Sequence, residues 1–317
     1  MILRYFKRTG LLIALLYLPF CSMAWGVLGH RIVGQVADTY LTKQTKKEID
    51  KILGDEAIAM ASNWPDFIKS DKEQKISAGG IFYSISALNR LTSCDDEIYL
   101  CSQYDDETYT HFKSEFEKVN KKYFQKVEKI PKVHLNLQKD RERHEAYENI
   151  TNNLSVDISE LNSFDGILIN MITGFDITLD QLTQIRNSYS GIIFIDIHTL
   201  SRGLNEDYKR EFRIIHNFIS WARCLDIIQV NQSELFTLSH KKIEMEIVEE
   251  LFSYGIKILC VTKGELGARV YFKNQNENGS YFVAARKIDN PNVIGCGDVF
   301  GASFFYSYIR NKNVIDS

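Results

Sequence analysis

Gly191-Ile192-Ile193-Phe194-Ile195-Asp196-Ile197 is seven residues with one acid and five large apolar side chains. It is too short for a helix of ordinary length, and it is β-branched and bounded by a glycine. Such a run reads as a strand buried on both faces. Similar runs stand on either side: Gly166 to Met171 (GILINM), Ile227 to Val230 (IIQV) and Ile256 to Thr262 (IKILCVT). Amphipathic stretches separate them. Helices are expected over Thr178–Tyr189, Glu206–Leu225 and Ile243–Tyr254, with a short one from Ser233 and a last one from about Asp298. Val270–Lys273 and Tyr281–Ile288 read as an edge meander. Buried strands alternating with helices give a mostly parallel sheet covered on both faces, an α/β fold. Upstream, Ile81–Leu91 reads as a helix, Glu97–Ser102 as a strand and Asp105–Asn120 as a helix. Lys132 to Tyr147 reads as an exposed hairpin or lid. Its charged run, Lys139 to Glu145, is a solvated face before it is a phosphate clamp.

In such a sheet, ligands bind beyond the carboxyl ends of the strands. The polar residues there are Asp196 and His198, then Asn231 and Glu234, then Thr262, Lys263 and Gly264. The sharpest feature is Gly295-Cys296-Gly297-Asp298 before the last helix. Glycines at a helix start let backbone N–H groups approach an anion, and the helix dipole adds to the attraction. An acid there can take a proton from a substrate hydroxyl beside a phosphate. By itself the tetrapeptide is equally a flexible N-cap, and Cys296 either fills the loop or is a thiol activated by the helix start.

The whole chain has 317 residues, net charge −3, 44% hydrophobic and 25% charged residues. It is long enough for one large domain or two ordinary ones. The composition excludes a disordered chain and a basic nucleic-acid-binding protein. The first 24 residues have a different character. Arg4, Lys7 and Arg8 precede the apolar run Leu11–Phe20, and Ser22-Met23-Ala24 offers small residues before Trp25. This is the layout of a signal peptide, too short for a permanent membrane span. Its removal takes three positive charges and one Cys, leaving a net charge of −6 and five cysteines, an odd number that argues against a disulfide framework. Asn149-Ile150-Thr151 is a glycosylation triplet of a kind common by chance.

After the leader, the α-amine of Trp25, the imidazole of His30 and the carboxylate of Asp66 are groups that suit zinc. Read without further context, Trp25 and Trp64 are core aromatics and His30 a core histidine. The stretch Trp25-Gly26-Val27-Leu28-Gly29-His30-Arg31-Ile32-Val33, with Ala61-Ser62-Asn63-Trp64-Pro65-Asp66, resembles the start of the trinuclear-zinc, single-strand-specific nucleases. That resemblance, over residues 25 to about 72, implies zinc ligation by Trp25, His30 and Asp66, and single-stranded nucleic acid as partner. The further histidine and aspartate ligands of that family do not follow downstream, and three residues cannot hold three zinc ions that each take about four ligands.

From about residue 76 onward the chain resembles the ribokinase-like PfkB carbohydrate kinases. The motifs are Gly79-Gly80 with a following helix containing Ala87, Asn89 and Leu91, then Val230 to Leu235 (VNQSEL), Val261 to Ala268 (VTKGELGA) and Gly295 to Ala302 (GCGDVFGA). The resemblance implies a three-layer α/β/α sandwich and phosphoryl transfer from ATP with Mg²⁺ to a sugar or nucleoside hydroxyl. Asp298 would be the base. The N–H groups of Gly295, Cys296 and Gly297 would form the anion hole. Asn231 and Glu234 would organise Mg²⁺ and phosphates, directly or through water. Thr262, Lys263 and Gly264 would line the nucleotide, and Gly79 and Gly80 would approach the sugar.

The expected division is a leader at 1–24, a helical nuclease-like segment at 25–75 and a kinase-like domain at 76–317. The family's opening strand, with its Gly-Asp substrate motif, is not found: Trp64–Lys75 occupies its place. The chain also stops nineteen residues after Asp298. A leader implies export, whereas an ATP-dependent kinase implies the cytoplasm. The expectation is therefore a kinase-like domain lacking both ends, with a zinc nuclease or an inactive hybrid of the two as the alternatives.

Overall fold

The computed structural model describes residues 41–47, 77–136, 144–149, 151–204, 210–273, 278–288 and 293–314. The chain divides into two compact units, Met1–Ile76 and Ser77–Ser317. In the first, residues 43–47 are helical, and the Thr42 hydroxyl caps them by accepting from the Thr45 amide at 3.1 Å. Trp25, His30 and Asp66 lie outside the described residues.

The second unit is built on the apolar runs. Strands β5 (Gly166–Asn170), β6 (Ile192–Asp196), β9 (Ile227–Asn231) and β10 (Ile258–Thr262) are parallel neighbours. β11 (Gly267–Lys273) and β12 (Asn278–Ala284) add antiparallel, giving a six-stranded sheet of order β12-β11-β10-β9-β6-β5. Side chains alternate across it. Ile193, Ile195, Ile228, Val230, Leu259 and Val261 pack with helices α3 (Leu179–Ser188), α4 (Phe218–Ala222) and α6 (Glu244–Ser253). Phe194, Ile227, Ile258 and Cys260 point the other way and meet Phe304 and Phe305 of α7 (Cys296–Asn311). Both faces are therefore covered, as the continuous apolar runs require. Helix α3 begins at a reciprocal cap: the Thr178 hydroxyl accepts from the Gln181 amide at 3.1 Å, and the Gln181 side chain accepts from the Thr178 amide at 2.9 Å.

Helix α1 (Ile81–Leu91) lies against α7 and carries a small core of its own, with Ile85, Leu100, Phe116 and Val119. Asp96, just beyond α1, accepts from the Tyr306 hydroxyl at 2.8 Å and from Arg310 at 3.1 Å, both on α7. Its carboxyl is held down at about 2, first by the Ser93 amide and then by Tyr306. Lys132–Asn136 (β3) and His144–Glu148 (β4) form the expected antiparallel hairpin.

Three expected elements differ. The strand at Glu97–Ser102 is displaced to β1 (Ser102–Tyr104), paired in parallel with β2 (Phe124–Lys126). The helix at Asp105–Asn120 is reduced to a 3₁₀ turn at Tyr109–His111 and one turn, α2 (Lys113–Phe116). Buried Asp105 accepts from the Thr108 amide at 2.7 Å, as a helix N-cap does, and from the Ile130 amide at 2.8 Å. The helix at Glu206–Leu225 is replaced by a hairpin, β7 (Arg202–Leu204) with β8 (Arg210–Phe212), and the short α4. Buried Arg210 donates to the carbonyls of Arg202 and Thr173, and Asn217 sits at φ 52°, which no continuous right-handed helix can pass through. The remaining short helix, α5 (Gln232–Leu235), follows β9.

Phe194 is fully buried between the sheet and Phe305, with ring centroids 5.5 Å apart. Phe194→Ala is expected to cost about 3–5 kcal/mol of stability, read as a lower urea midpoint of the full chain.

Candidate active site

The carboxyl ends of the four parallel strands bring together Asn170, Asp196, Asn231 and Thr262. Asn170 is in register with Asp196, Asp196 with Gln229, and Asn231 with Thr262. The start of α7 approaches this edge at very short range. Gly295 precedes the helix at φ 81°, and a Cβ there would fall 2.3 Å from the Tyr83 ring of α1. A Cβ on Gly301 would fall 2.4 Å from the Gln229 carboxamide oxygen. Only glycine permits both contacts. Gln229 then donates from Nε2 to the Gly297 carbonyl at 2.9 Å, holding the loop to β9. The Cys296 amide donates to the Val293 carbonyl at 3.3 Å. The Cys296 side chain is exposed.

Asp298 is buried in the first turn of α7. Its Oδ1 accepts from Asn170 Nδ2 at 3.0 Å, and the same nitrogen donates to Ser84 Oγ at 3.0 Å. Ser84 in turn donates to the main-chain carbonyl of Asp298 at 3.4 Å. Ser84 lies on α1, one turn after Gly80, which caps that helix and lies against Ile172. The loop Gly79–Gly80, the glycine loop Gly295–Gly297 and Asp298 are therefore gathered at one place.

The other expected site residues gather along β9 and β10. Asn231 and Glu234 form a reciprocal cap on α5. The Asn231 amide donates to Glu234 at 2.8 Å, and the Glu234 amide donates to the Asn231 side chain at 2.8 Å. The ends of β9 and β10 place Thr262 beside Asn231, and its hydroxyl donates to the Val230 carbonyl at 3.4 Å. The Lys263 ammonium is held by Glu244 of α6 at 2.7 and 2.9 Å, with both side chains largely buried. Tyr271 donates to the same carboxylate at 2.6 Å. Burial pushes Glu244 up, but the bonds from Lys263 and Tyr271 outweigh it and hold the carboxyl below its ordinary range. Lys263 thus offers its backbone at this edge, and its charge is spent on Glu244. Gly264 follows at φ 57°. Among the described residues, no group of three His, Cys, Asp or Glu is arranged to hold a metal ion, and no helix is long and apolar enough to cross a membrane.

Ser84, Asn170 and Gln229 are site residues the sequence reading passed over. The available signal was a lone polar residue in an apolar strand: Asn170 in GILIN and Gln229 in IIQVN.

Residues 215–317 match the model of the pfkB family carbohydrate kinases, and residues 25–155 match that of the S1/P1 nucleases. No curated protein sequence matches the chain. Solved structures with the same fold include a pyrophosphate-dependent kinase of the ribokinase family, complexed with a pyrophosphate analog and myo-inositol. It is 18% identical, with 77% of this chain and 84% of that chain covered, at TM-score 0.62. Ribokinase from Thermotoga maritima is 14% identical, with 74% and 73% covered, at 0.53. Arabidopsis thaliana ribokinase complexed with ribose and ATP is 14% identical, with 74% and 75% covered, at 0.55. The fold is ribokinase-like, and the chain carries segments similar to two families.

Glu244→Gln is expected to lose about 1–3 kcal/mol at neutral pH, because Lys263 keeps its burial and loses its anion. The folded-state carboxyl lies below its unfolded value, so its contribution is present above about pH 4.3 and fades as pH falls further. Urea midpoints at pH 7 and pH 3 should differ less in the variant than in the parent chain.

Proposed function

We propose that residues 77–317 form a phosphotransferase that moves the γ-phosphoryl group of ATP to a hydroxyl of a sugar or nucleoside. The observation that carries this reading is buried Asp298. It stands at a glycine-opened helix start on the carboxyl edge of the sheet, beside the Gly79–Gly80 loop. The match of residues 215–317 to the pfkB family supports it.

The acceptor hydroxyl would lie between Gly79–Gly80 and Asp298. Its proton passes to the Asp298 carboxylate as its oxygen forms the new bond to phosphorus, and the bond from phosphorus to the ADP oxygen breaks. The bond from Asn170 to Asp298 Oδ1 favours the charged carboxylate that takes that proton. Amides at the start of α7 meet the phosphoryl oxygens, where donors that need no reorganisation are most effective. Thr262, Lys263 and Gly264 would follow the nucleotide with backbone groups and the Thr262 hydroxyl. Magnesium, carried by the donor phosphates, supplies charge neutralisation. The Glu234 carboxylate is tied to the Asn231 amide, so these two residues suit that ion through water better than as direct ligands.

The test is phosphoryl transfer by the full chain with Mg-ATP, and in parallel with Mg-pyrophosphate, against sugars, nucleosides and cyclitols. Pyrophosphate and myo-inositol are included because a structure of similar fold contains a pyrophosphate analog and myo-inositol. Asp298→Ala is expected to lower turnover about 10²–10⁴-fold. Turnover that survives in that variant removes Asp298 as the base.

A second reading, a zinc-dependent nuclease on single-stranded nucleic acid, is favoured by the match of residues 25–155. It needs zinc at Trp25, His30 and Asp66. Metal analysis of the leader-free chain after dialysis decides it: zinc retained by the parent and lost in Asp66→Ala supports the site, and zinc-free parent protein eliminates it.

A further inference from the structure

Asn170 ends β5 with one carboxamide shared between two elements. Its Nδ2 is 3.0 Å from Asp298 Oδ1 on α7 and 3.0 Å from Ser84 Oγ on α1. A primary amide has two N–H groups, so both bonds form at once. Because Ser84 accepts from Asn170, its own proton goes to the Asp298 carbonyl at 3.4 Å. The three residues close a ring of hydrogen bonds across the strand and the two helices. They are far apart in sequence, 86 residues from Ser84 to Asn170 and 128 from Asn170 to Asp298.

We propose that Asn170 is a positioning residue: it holds Asp298 as an oriented carboxylate and ties that orientation to the helix that follows Gly79–Gly80. The proposal rests on the reading of Asp298 as the base. Its chemistry follows from the donor. A neutral amide donating to a carboxylate favours the charged form. It also fixes the orientation of Oδ1. The surroundings suit such a donor: Asp298 is buried, and the neighbouring strand carries a second buried acid, Asp196, in register with Asn170. The adjoining elements also carry Tyr83 and Arg90 on α1, His198 after β6, and Cys296, Tyr306, Tyr308 and Arg310 on α7. β5 and β9 contribute the neutral amides Asn170 and Gln229. A leucine at this position would lack the bonds to Asp298 and Ser84.

The experiment is a pH titration of the full chain labelled with ¹³C at aspartate carboxyls. The Asp298 signal is assigned by its absence in Asp298→Asn. In Asn170→Ala the midpoint of that signal is expected to move to higher pH. In isosteric Asn170→Asp it should move farther, because a like charge then faces the base. Ser84→Ala should leave it closer to the parent value than either. Unchanged midpoints in the Asn170 variants overturn the proposal. Asn170→Asp retains the shape of the site, so the comparison stands even where Asn170→Ala fails to fold. The titration does not depend on turnover. A shifted midpoint with full activity in Asp298→Ala would discard the base and keep the Asn170 contact. An inactive Asp298→Ala with unshifted midpoints would keep the base and discard Asn170.

Discussion

The site depends on how closely α7 can come to its neighbours. Gly295 lies under the Tyr83 ring and Gly301 under the Gln229 carboxamide, each at a distance that leaves no room for a Cβ. That approach puts Asp298 within reach of Asn170 and puts Gly297 within reach of Gln229. A methyl group at Gly295 would have to displace the Tyr83 ring, and one at Gly301 the Gln229 carboxamide that holds Gly297. The apolar residues of α7, Phe304 and Phe305, supply the burial that holds the helix in place. Position at the top of the sheet is thus set by packing further down the helix, and the glycines allow it to be used.

The sheet was legible in the sequence because burial on both faces leaves long β-branched runs, as in Ile192–Asp196 and Ile258–Thr262. The glycine loops were legible because glycine before a helix is a local signal. Asp298, Gly79 and Gly80 fall at one place in the structure, and Asn231 and Thr262 at another along the same edge. What stayed hidden was long-range or came from a single side chain. The Ser84–Asn170–Asp298 ring joins residues separated by most of the domain. The attachment of Lys263 to Glu244 removes a charge that its motif would have assigned to the nucleotide. Asn217 breaks a stretch whose periodicity favoured helix, through a left-handed backbone. Periodicity reports which face is apolar and is blind to that.

The two sequence similarities overlap the structural division unevenly. The nuclease match runs from residue 25 to 155, across the boundary between Ile76 and Ser77. Yet several hydrogen bonds tie residues 77–155 to the rest of the second unit. Ser84 reaches Asp298, and Asp96 holds Tyr306 and Arg310. Tyr123 donates to the Glu160 carboxylate at 3.0 Å, and the Leu154 amide to the Asp176 carbonyl at 2.7 Å. In the folded chain α1 of this segment packs against α7. Its physical role follows from those contacts.

The account's central claim is that an anionic phosphoryl donor binds at the start of α7. Hydrogen–deuterium exchange of the full chain, with and without Mg-ATP or Mg-pyrophosphate, addresses it most directly. The amides of residues 295–298 should become protected when donor is present, with the β12 edge unchanged as the internal reference. Exchange at residues 295–298 that is the same with and without both donors would contradict the claim.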